Sequence, residues 1–279
     1  MSQADQYLVV GNPISHSKSP FIHTAFACQT AQNLQYTARK VTVGGFQEAV
    51  RLFQQQGLKG CNVTVPFKED AWQVADERSP NAELAGAVNT LAFREDGSIY
   101  GANTDGTGLL TDLQINFGLE LTGKRILILG AGGAVRGVLQ SLLAAAPEEI
   151  FVANRTAQKA ADLAALFVDF GVINGGGFSD VVQSYDVIIN GTSASLQGAV
   201  PDLPAGCLAE GASCYDMMYA AEPTALLRWA QQQGVVRLSD GLGMLVEQAA
   251  DAFAIWRGVR PDTAQVLNEL RQMMTNPES

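Results

Sequence analysis

Residues 124–159, KRILILGAGGAVRGVLQSLLAAAPEEIFVANRTAQK, constrain the fold more than any other stretch of this chain. Lys124 to Leu129 is a short apolar run with β-branched residues, the pattern of a buried parallel strand. A glycine turn follows at Gly130, Gly132 and Gly133. Val135, Val138, Leu139, Leu142, Leu143 and Ala146 then recur at helical spacing, Pro147 closes the helix, and Glu149–Ala153 reads as a second strand. The result is a βαβ unit with glycines at the strand-to-helix turn, where bare N–H groups and the helix dipole favour a phosphate. The strict G-x-G-x-x-G pattern is not met, because Val135 stands at the third glycine's place.

The end of the second strand bears on which dinucleotide is expected. A carboxylate there would hold a ribose 2′-hydroxyl and repel a 2′-phosphate. This strand ends instead in Asn154-Arg155-Thr156, with Lys159 one helical turn later. Two cations and a hydroxyl suit a dianionic 2′-phosphate, which arginine can bind with two parallel hydrogen bonds. The plainer alternative makes Thr156 a helix cap and leaves the cations solvated. The glycine turn upstream favours NADP.

The remaining chain of 279 residues is long enough for a second domain with its own core. A net charge of −10 argues against nucleic acid or an anionic membrane as partner, so an anionic ligand must be met by local cations. Cys28, Cys61, Cys207 and Cys214 form no C-x-x-C pair and suit no metal motif; free buried thiols in a reducing compartment are expected. The start MSQADQYLVVG lacks the basic region and apolar core of a signal peptide, and no apolar stretch approaches the roughly 18 residues of a membrane span. A cytoplasmic protein is expected.

Ahead of the dinucleotide unit, Tyr7–Val10 reads as a strand, Phe21–Ala31 as a helix, Leu34–Val43 as a strand and Phe46–Gln56 as a helix. Between the first two lies Ile14-Ser15-His16-Ser17-Lys18-Ser19-Pro20. Its alternating serines suit competing helix caps and a polyhydroxylated ligand equally well. Gly60–Lys68 is a β-rich run ended by Pro66, with Lys68 at the strand's end, where open α/β sheets place ligands. Glu83–Phe93, a turn at Glu95-Asp96-Gly97 and Ile99–Asn103 read as a hairpin carrying Asn89 and leading to Asp105. Asp105 alone is equally a cap for a helix at 107–116.

Beyond the unit, a helix around 156–167 and strands at Val172-Ile173, Asp186–Asn190, Cys214–Met217 and Val235–Leu238 continue the alternation. Roughly six strands alternating with helices make a doubly wound sheet. Helices at Gly243–Trp256 and near 262–274 close the chain and are expected to return to the N-terminal half, leaving a cleft between the halves. The fold class is α/β, with an N-terminal α/β substrate domain and a Rossmann-type doubly wound NADP domain. The expected boundaries are 1–105, joined by 244–279, for the first and 106–243 for the second.

NADP in one half and a lysine at a strand end in the other suggest hydride transfer to a carbonyl, which needs a proton donor for the forming alkoxide. Both histidines, His16 and His23, lie on one segment, so no Ser-His-Asp arrangement is credible. Lys68 held by Asp105 is the remaining candidate.

Ser15-His16-Ser17, Asn62-Val63-Thr64-Val65-Pro66-Phe67-Lys68, Ala85-Gly86-Ala87-Val88-Asn89-Thr90, Asn103-Thr104-Asp105-Gly106, Gly130-Ala131-Gly132-Gly133-Ala134, Asn154-Arg155-Thr156 and Asp240-Gly241-Leu242-Gly243-Met244-Leu245 resemble, in order, the motifs of the shikimate dehydrogenase family. The resemblance implies NADPH-dependent reduction of 3-dehydroshikimate to shikimate in aromatic amino-acid biosynthesis. It also implies a small-molecule substrate, no nucleic-acid or membrane partner, and a monomer or homodimer. By the same resemblance Lys68 and Asp105 are catalytic. Ser15, Ser17, Thr64, Lys68, Asn89, Asp105, Tyr219 and Gln248 bind substrate. Gly130, Ala131, Gly132, Gly133, Ala134, Asn154, Arg155, Thr156, Lys159, Thr192, Met217 and Gly241 bind the cofactor, and no metal is implied. The nearest rival is a quinate/shikimate dehydrogenase with looser substrate and cofactor choice; Ser17 and Arg155 tilt away from it. A rival of another class is a non-catalytic NADP sensor, against which Lys68 and Asp105 both speak.

Overall fold

The computed structural model describes residues 3–275; Met1, Ser2 and residues 276–279, the ends of the expected first domain, lie outside the described residues. Contacts divide the chain into two compact units, Met1–Gly108 with Val246–Asn268, and Leu109–Leu245 with Glu269–Ser279.

The first unit contains β1 (Asp5–Gly11), α1 (Ser19–Gln29), β2 (Leu34–Lys40), α2 (Phe46–Gln55), β3 (Gly60–Val63), α3 (Lys68–Val74), β4 (Glu77–Arg78), α4 (Pro80–Ala85), β5 (Thr90–Phe93) and β6 (Ile99–Ala102), followed by the start of α5 (Asp105–Thr111). Its sheet runs β2-β1-β3-β5-β6-β4. β1 pairs parallel with β2 and β3, β5 pairs antiparallel with β3 and β6, and β4 pairs parallel with β6. The alternation in β1 explains its central place. Leu8 and Val10 face a core with Val50, Phe53, Phe67 and Leu91, while Tyr7 and Val9 face Tyr36 and Trp256 on the opposite side. A strand apolar on both faces needs cover on both, and these two clusters supply it.

Two expectations are corrected here. Glu83–Ala85 is not the start of a hairpin strand but the end of α4, with Gly86 left-handed at its C-cap. Ser79 caps this helix by accepting from the Ala82 N–H, and Pro80 fills the first turn, where its missing N–H costs nothing. The hairpin is therefore the shorter β5–β6 pair, with Thr90 opposite Ala102. Of the four free cysteines only Cys61, Cys207 and Cys214 are buried; Cys28 is exposed on α1. Burial pushes the Cys214 thiol up to about 12, with Cys207 contributing.

The second unit runs from the end of α5 through a π-helical turn (Asp112–Asn116) to β7 (Arg125–Leu129), α6 (Gly133–Ala144), β8 (Glu149–Ala153), α7 (Ala157–Ala165), β9 (Ile173–Gly176), β10 (Tyr185–Asn190), β11 (Leu208–Asp216), α8 (Ala225–Gln232) and β12 (Arg237–Asp240). These six strands are all parallel, in the order β12-β11-β10-β7-β8-β9. That is the doubly wound order, with the direction of winding reversing between β7 and β10. Ile126 to Leu129 are wholly buried, as a central parallel strand requires.

α9 (Leu242–Arg257) contributes to the first unit from Val246, and α10 (Ala264–Thr275) has Ala264–Asn268 in the first unit and Glu269 onward in the second. Within the first unit Trp256 stacks on Tyr7 with ring centroids 4.6 Å apart and donates to the Leu91 carbonyl at 3.0 Å. Gly60 makes this approach possible, since a methyl group there would lie 2.6 Å from the Trp256 Nε1. Within the second, Arg271 binds both carboxylate oxygens of Asp240. Among the described residues no helix is long and apolar enough to cross a membrane.

Candidate active site and nucleotide pocket

Lys68 is the first residue of α3, not the end of the preceding strand. Its backbone is pinned from both sides: buried Phe67 stacks on Phe46 at 5.3 Å, and the Val88 N–H donates to the Lys68 carbonyl at 2.8 Å. Its half-buried Nζ lies 2.5 Å from Asp105 Oδ2. Asp105 opens α5, but the capping task there falls to Asn103, whose Oδ1 accepts the Asp105 N–H at 3.0 Å. The Asp105 carboxylate is thereby left to Lys68 and to Asn89 Nδ2, the latter 2.8 Å from Oδ1.

Asn89 is the hub. It is 3 % exposed, so each of its polar atoms needs a protein partner. Its Oδ1 accepts from the Thr104 N–H at 3.0 Å and from the Thr90 hydroxyl at 2.9 Å. Those two donors fix the orientation of the carboxamide, so Nδ2 must face Asp105 and the Thr104 hydroxyl. Gln248 of α9 completes the group, with Oε1 3.4 Å from Asn89 Nδ2 and its carbonyl accepting from the Thr104 hydroxyl at 3.0 Å. Gly108 permits this approach; a Cβ there would lie 2.7 Å from the Gln248 backbone nitrogen.

Ser15, Ser17 and Thr64 share no hydrogen bond with that group among those described, but lie at the carboxyl ends of neighbouring parallel strands. The Asn12 N–H after β1 donates to the Val65 carbonyl after β3, and a methyl on Gly11 would come within 2.6 Å of Thr64 Cγ2. Ser15 is exposed and Ser17 half-buried. Ser17 Oγ accepts from the Ser19 N–H at 3.3 Å, and Lys18 at the N-cap makes no side-chain cap. Tyr219 belongs to the second unit, where burial, with the Asp240 charge adding to it, pushes its phenol up.

In the second unit, Gly130 ends β7 with φ +106, and a methyl there would meet Thr192 Cγ2 at 2.7 Å. Gly132 and Gly133, where α6 begins, face open space, and no side chain caps the helix. First-turn N–H groups of a 12-residue helix are therefore available to an anion. The missing third glycine is compensated across the sheet. Gly191, at the end of β10, leaves the space that Val135 fills; a Cβ on Gly191 would lie 2.3 Å from Val135 Cγ2.

A pocket of about 490 Å³ opens beside this turn, with Ala131, Gly132, Asn154, Arg155, Thr156, Lys159 and Thr192 in its wall. Asn154 Nδ2 holds the turn by donating to the Thr156 carbonyl at 3.0 Å. Thr156 occupies the N-cap position of α7, but its hydroxyl makes no capping hydrogen bond there. Arg155 and Lys159 are exposed, and neither has an ion-pair partner among the described residues. Sequence reasoning missed Phe178, Ser193, Gln197 and Pro201 in the same wall. Gly130, Gly133, Ala134, Met217 and Gly241 do not line it. Met217 is buried against the Gly191 turn, and Gly241 passes so close to it that a methyl there would meet the Met217 carbonyl oxygen. Open glycine backbone, free helix N–H groups and two unpaired cations form a donor set that fits a phosphorylated dinucleotide carrying a 2′-phosphate.

Comparison with known proteins agrees with both halves. Three family models match, described as the shikimate dehydrogenase substrate binding domain over residues 9–91, shikimate / quinate 5-dehydrogenase over 112–198, and the shikimate 5'-dehydrogenase C-terminal domain over 241–271. The shikimate dehydrogenase (NADP(+)) of Hahella chejuensis is 57% identical, covering 96% of this chain and 99% of its own. Among solved structures, an Ael1 enzyme from Pseudomonas putida is 47% identical over 96% of this chain and 98% of its own, with a TM-score of 0.91. The shikimate 5-dehydrogenase of Thermus thermophilus, solved in complex with NADP(H) and shikimate, is 31% identical over 96% of this chain and 99% of its own, with a TM-score of 0.85. The chain belongs to the shikimate dehydrogenase family.

Proposed function

We propose that this protein catalyses the reversible NADPH-dependent reduction of 3-dehydroshikimate to shikimate, on the route to chorismate and the aromatic amino acids. The observation that carries the reading is the ion pair of Lys68 and Asp105, aligned by Asn89, in a chain that also holds a cationic dinucleotide pocket. The bound nicotinamide supplies the hydride. Lys68 Nζ gives its proton to the oxygen that becomes negative as the carbonyl is reduced, and in the reverse direction takes it back. Asp105 keeps the amine in place and offers its other oxygen to a substrate hydroxyl. Ser15, Ser17, Thr64, Asn89 and Gln248 meet the substrate's hydroxyls and carboxylate; Tyr219 is a further substrate contact. Apart from Tyr219, the substrate contacts thus belong to residues 1–105 with 244–279, and the cofactor to 106–243. Gly130, Ala131, Gly132, Gly133 and Ala134 take the pyrophosphate. Asn154, Arg155, Thr156 and Lys159 take the 2′-phosphate and adenosine ribose, with Thr192, Met217 and Gly241 toward the nicotinamide side.

The chemistry asks for no metal, nucleic acid or membrane partner. We place the enzyme in the cytoplasm, as a monomer or homodimer. The test is NADP reduction with shikimate, repeated with NAD and with quinate. Robust turnover with the NADP–shikimate pair alone is expected; equal turnover of quinate, or of NAD, replaces this assignment with the broader quinate/shikimate enzyme.

A further inference from the structure

Behind the Lys68–Asp105 pair runs a line of buried polar side chains that reaches Asn89 through Tyr36, Asn62 and Thr90, three residues with no part in the proposed chemistry. Tyr36 Oη donates to Asn62 Oδ1 at 2.6 Å. Asn62 Nδ2 donates to the Thr90 hydroxyl at 3.1 Å and to the Asn89 carbonyl at 3.3 Å. The Thr90 hydroxyl donates in turn to Asn89 Oδ1 at 2.9 Å, and Asn89 Nδ2 reaches Asp105 at 2.8 Å. Tyr36, Asn62, Thr90 and Asn89 are all under 9 % exposed, so water cannot substitute for a lost partner at low cost.

The line has a direction. A hydroxyl carries one proton, and each carboxamide presents acceptor and donor on opposite sides. Tyr36, donating to Asn62 Oδ1, sets which way the Asn62 amide faces. With Asn62 Nδ2 occupying its oxygen, Thr90 can send its proton only to Asn89. That donation, with the Thr104 N–H, holds Asn89 in the orientation that gives Asp105 an N–H rather than a second acceptor. A flipped Asn89 would set two oxygens against each other beside the Lys68 partner. Tyr36 itself is held from behind: the His23 ring lies on it at 4.1 Å and 9°, inside a cage with Phe26, Phe253 and Trp256.

We propose that Tyr36, backed by His23 and acting through Asn62 and Thr90, is a positioning residue that fixes the Asn89 carboxamide and so aligns Asp105 with the acid/base Lys68. The proposal rests on the reading of Lys68 given above. None of these residues needs to touch substrate for the effect. Their role is to keep a donor, and never an acceptor, on Asp105 Oδ1.

The test compares Tyr36→Phe, which keeps the stack on His23, with Thr90→Val, Thr90→Ser and the double variant Y36F/T90V. Each single loss of a hydroxyl should lower kcat about tenfold, with the shikimate KM and NADP affinity little moved. T90S, which restores the relay hydroxyl, should recover most of the wild-type kcat. The double variant should be no worse than the poorer single one, because both break one line. The Asn89 side-chain amide resonance should shift in Y36F whether or not Lys68 is the acid, which separates failure of the relay from failure of the Lys68 assignment. Multiplicative losses in the double variant, an unshifted amide, or a raised KM with unchanged kcat would each overturn the proposal. Should Y36F fail to fold, the T90V and T90S pair with the amide resonance decides alone.

Discussion

The two sites meet their ligands with opposite states of preparation. In the first unit every polar side chain around Asn89 is already bonded to another: Lys68 to Asp105, Asp105 to Asn89, Asn89 to Thr90 and Thr104. In the second, Arg155 and Lys159 stand exposed without an ion-pair partner among the described residues, and Gly132 and Gly133 present bare backbone to open space. The difference follows from what each site must do. Proton transfer needs groups held to a fraction of an ångström, so the cost of ordering them is met by folding itself. Nucleotide binding needs charge and access, and exposed cations keep their hydration until the phosphate replaces it. A substitution near Asn89 should therefore show in kcat, whereas one near Arg155 should show in affinity.

The largest expected effect tests the first half of that contrast. Lys68→Met keeps the length and apolar stem but removes the proton donor. Loss of general acid–base catalysis should lower kcat by about 10²–10⁴. The shikimate KM should move far less, because the lost interaction belongs mainly to the transition state. Single-turnover hydride transfer with NADPH measures it; near-normal transfer with weakened shikimate binding would make Lys68 an anchor.

Arg155→Ala tests the other half. Losing charge-assisted hydrogen bonds to the 2′-phosphate costs roughly 1.5–3 kcal/mol, so NADP affinity should fall about 10- to 150-fold. NAD affinity and kcat at saturation should stay near wild type. A titration in which both cofactors weaken equally would assign Arg155 to the shared part of the dinucleotide.

The contrast also governs what the sequence could reveal. The second unit is legible because its signals are local: strand, glycine turn, helix and cation cluster fall within residues 124–159. Even its departure, Val135, is answered by one residue, Gly191, on an adjacent strand. The first site is assembled from five separated stretches; the need for a proton donor paired Lys68 with Asp105, and only the motif resemblance gathered the rest. Nothing in the spacing of Tyr36, Asn62 and Thr90 announces that they meet. Asp105 read alone as a helix cap; the structure gives that task to Asn103, two residues earlier. α4 was hidden for a different reason. Glu83–Phe93 reads as one strand if Ser79-Pro80 is passed over, yet that pair is a helix-start signal in its own right.

A third prediction probes how much the prepared site contributes to stability. His23 is wholly buried, and burial pushes it down to about 3 against a weaker opposing contact with Asn62. An unfolded histidine titrates near 6.5. Between those values the unfolded chain binds the additional proton, so stability is lost as pH falls. From about pH 6.5 to about pH 5 the loss should be about 1.6 kcal/mol from this residue alone. Urea unfolding at both pH values should show a smaller pH dependence in His23→Phe, which keeps a ring against Tyr36. An unchanged dependence would mean that other groups set the acid limb.

The smallest effect lies where preparation is least complete, at Ser17. The hydrogen bond its hydroxyl accepts, from the Ser19 N–H at 3.3 Å, is long, and Lys18 rather than Ser17 occupies the N-cap of α1. Ser17→Ala should therefore leave the ligand-free melting temperature almost unchanged. If its hydroxyl meets the shikimate carboxylate, one charge-assisted bond of about 1.5 kcal/mol disappears, raising the Michaelis constant about tenfold at constant kcat. The two outcomes exchange places if the serine is only a turn former: melting temperature falls and the Michaelis constant holds. Ser17 would then belong with the internally bonded residues around Asn89, and the ligand-facing part of the first unit would begin at Ser15.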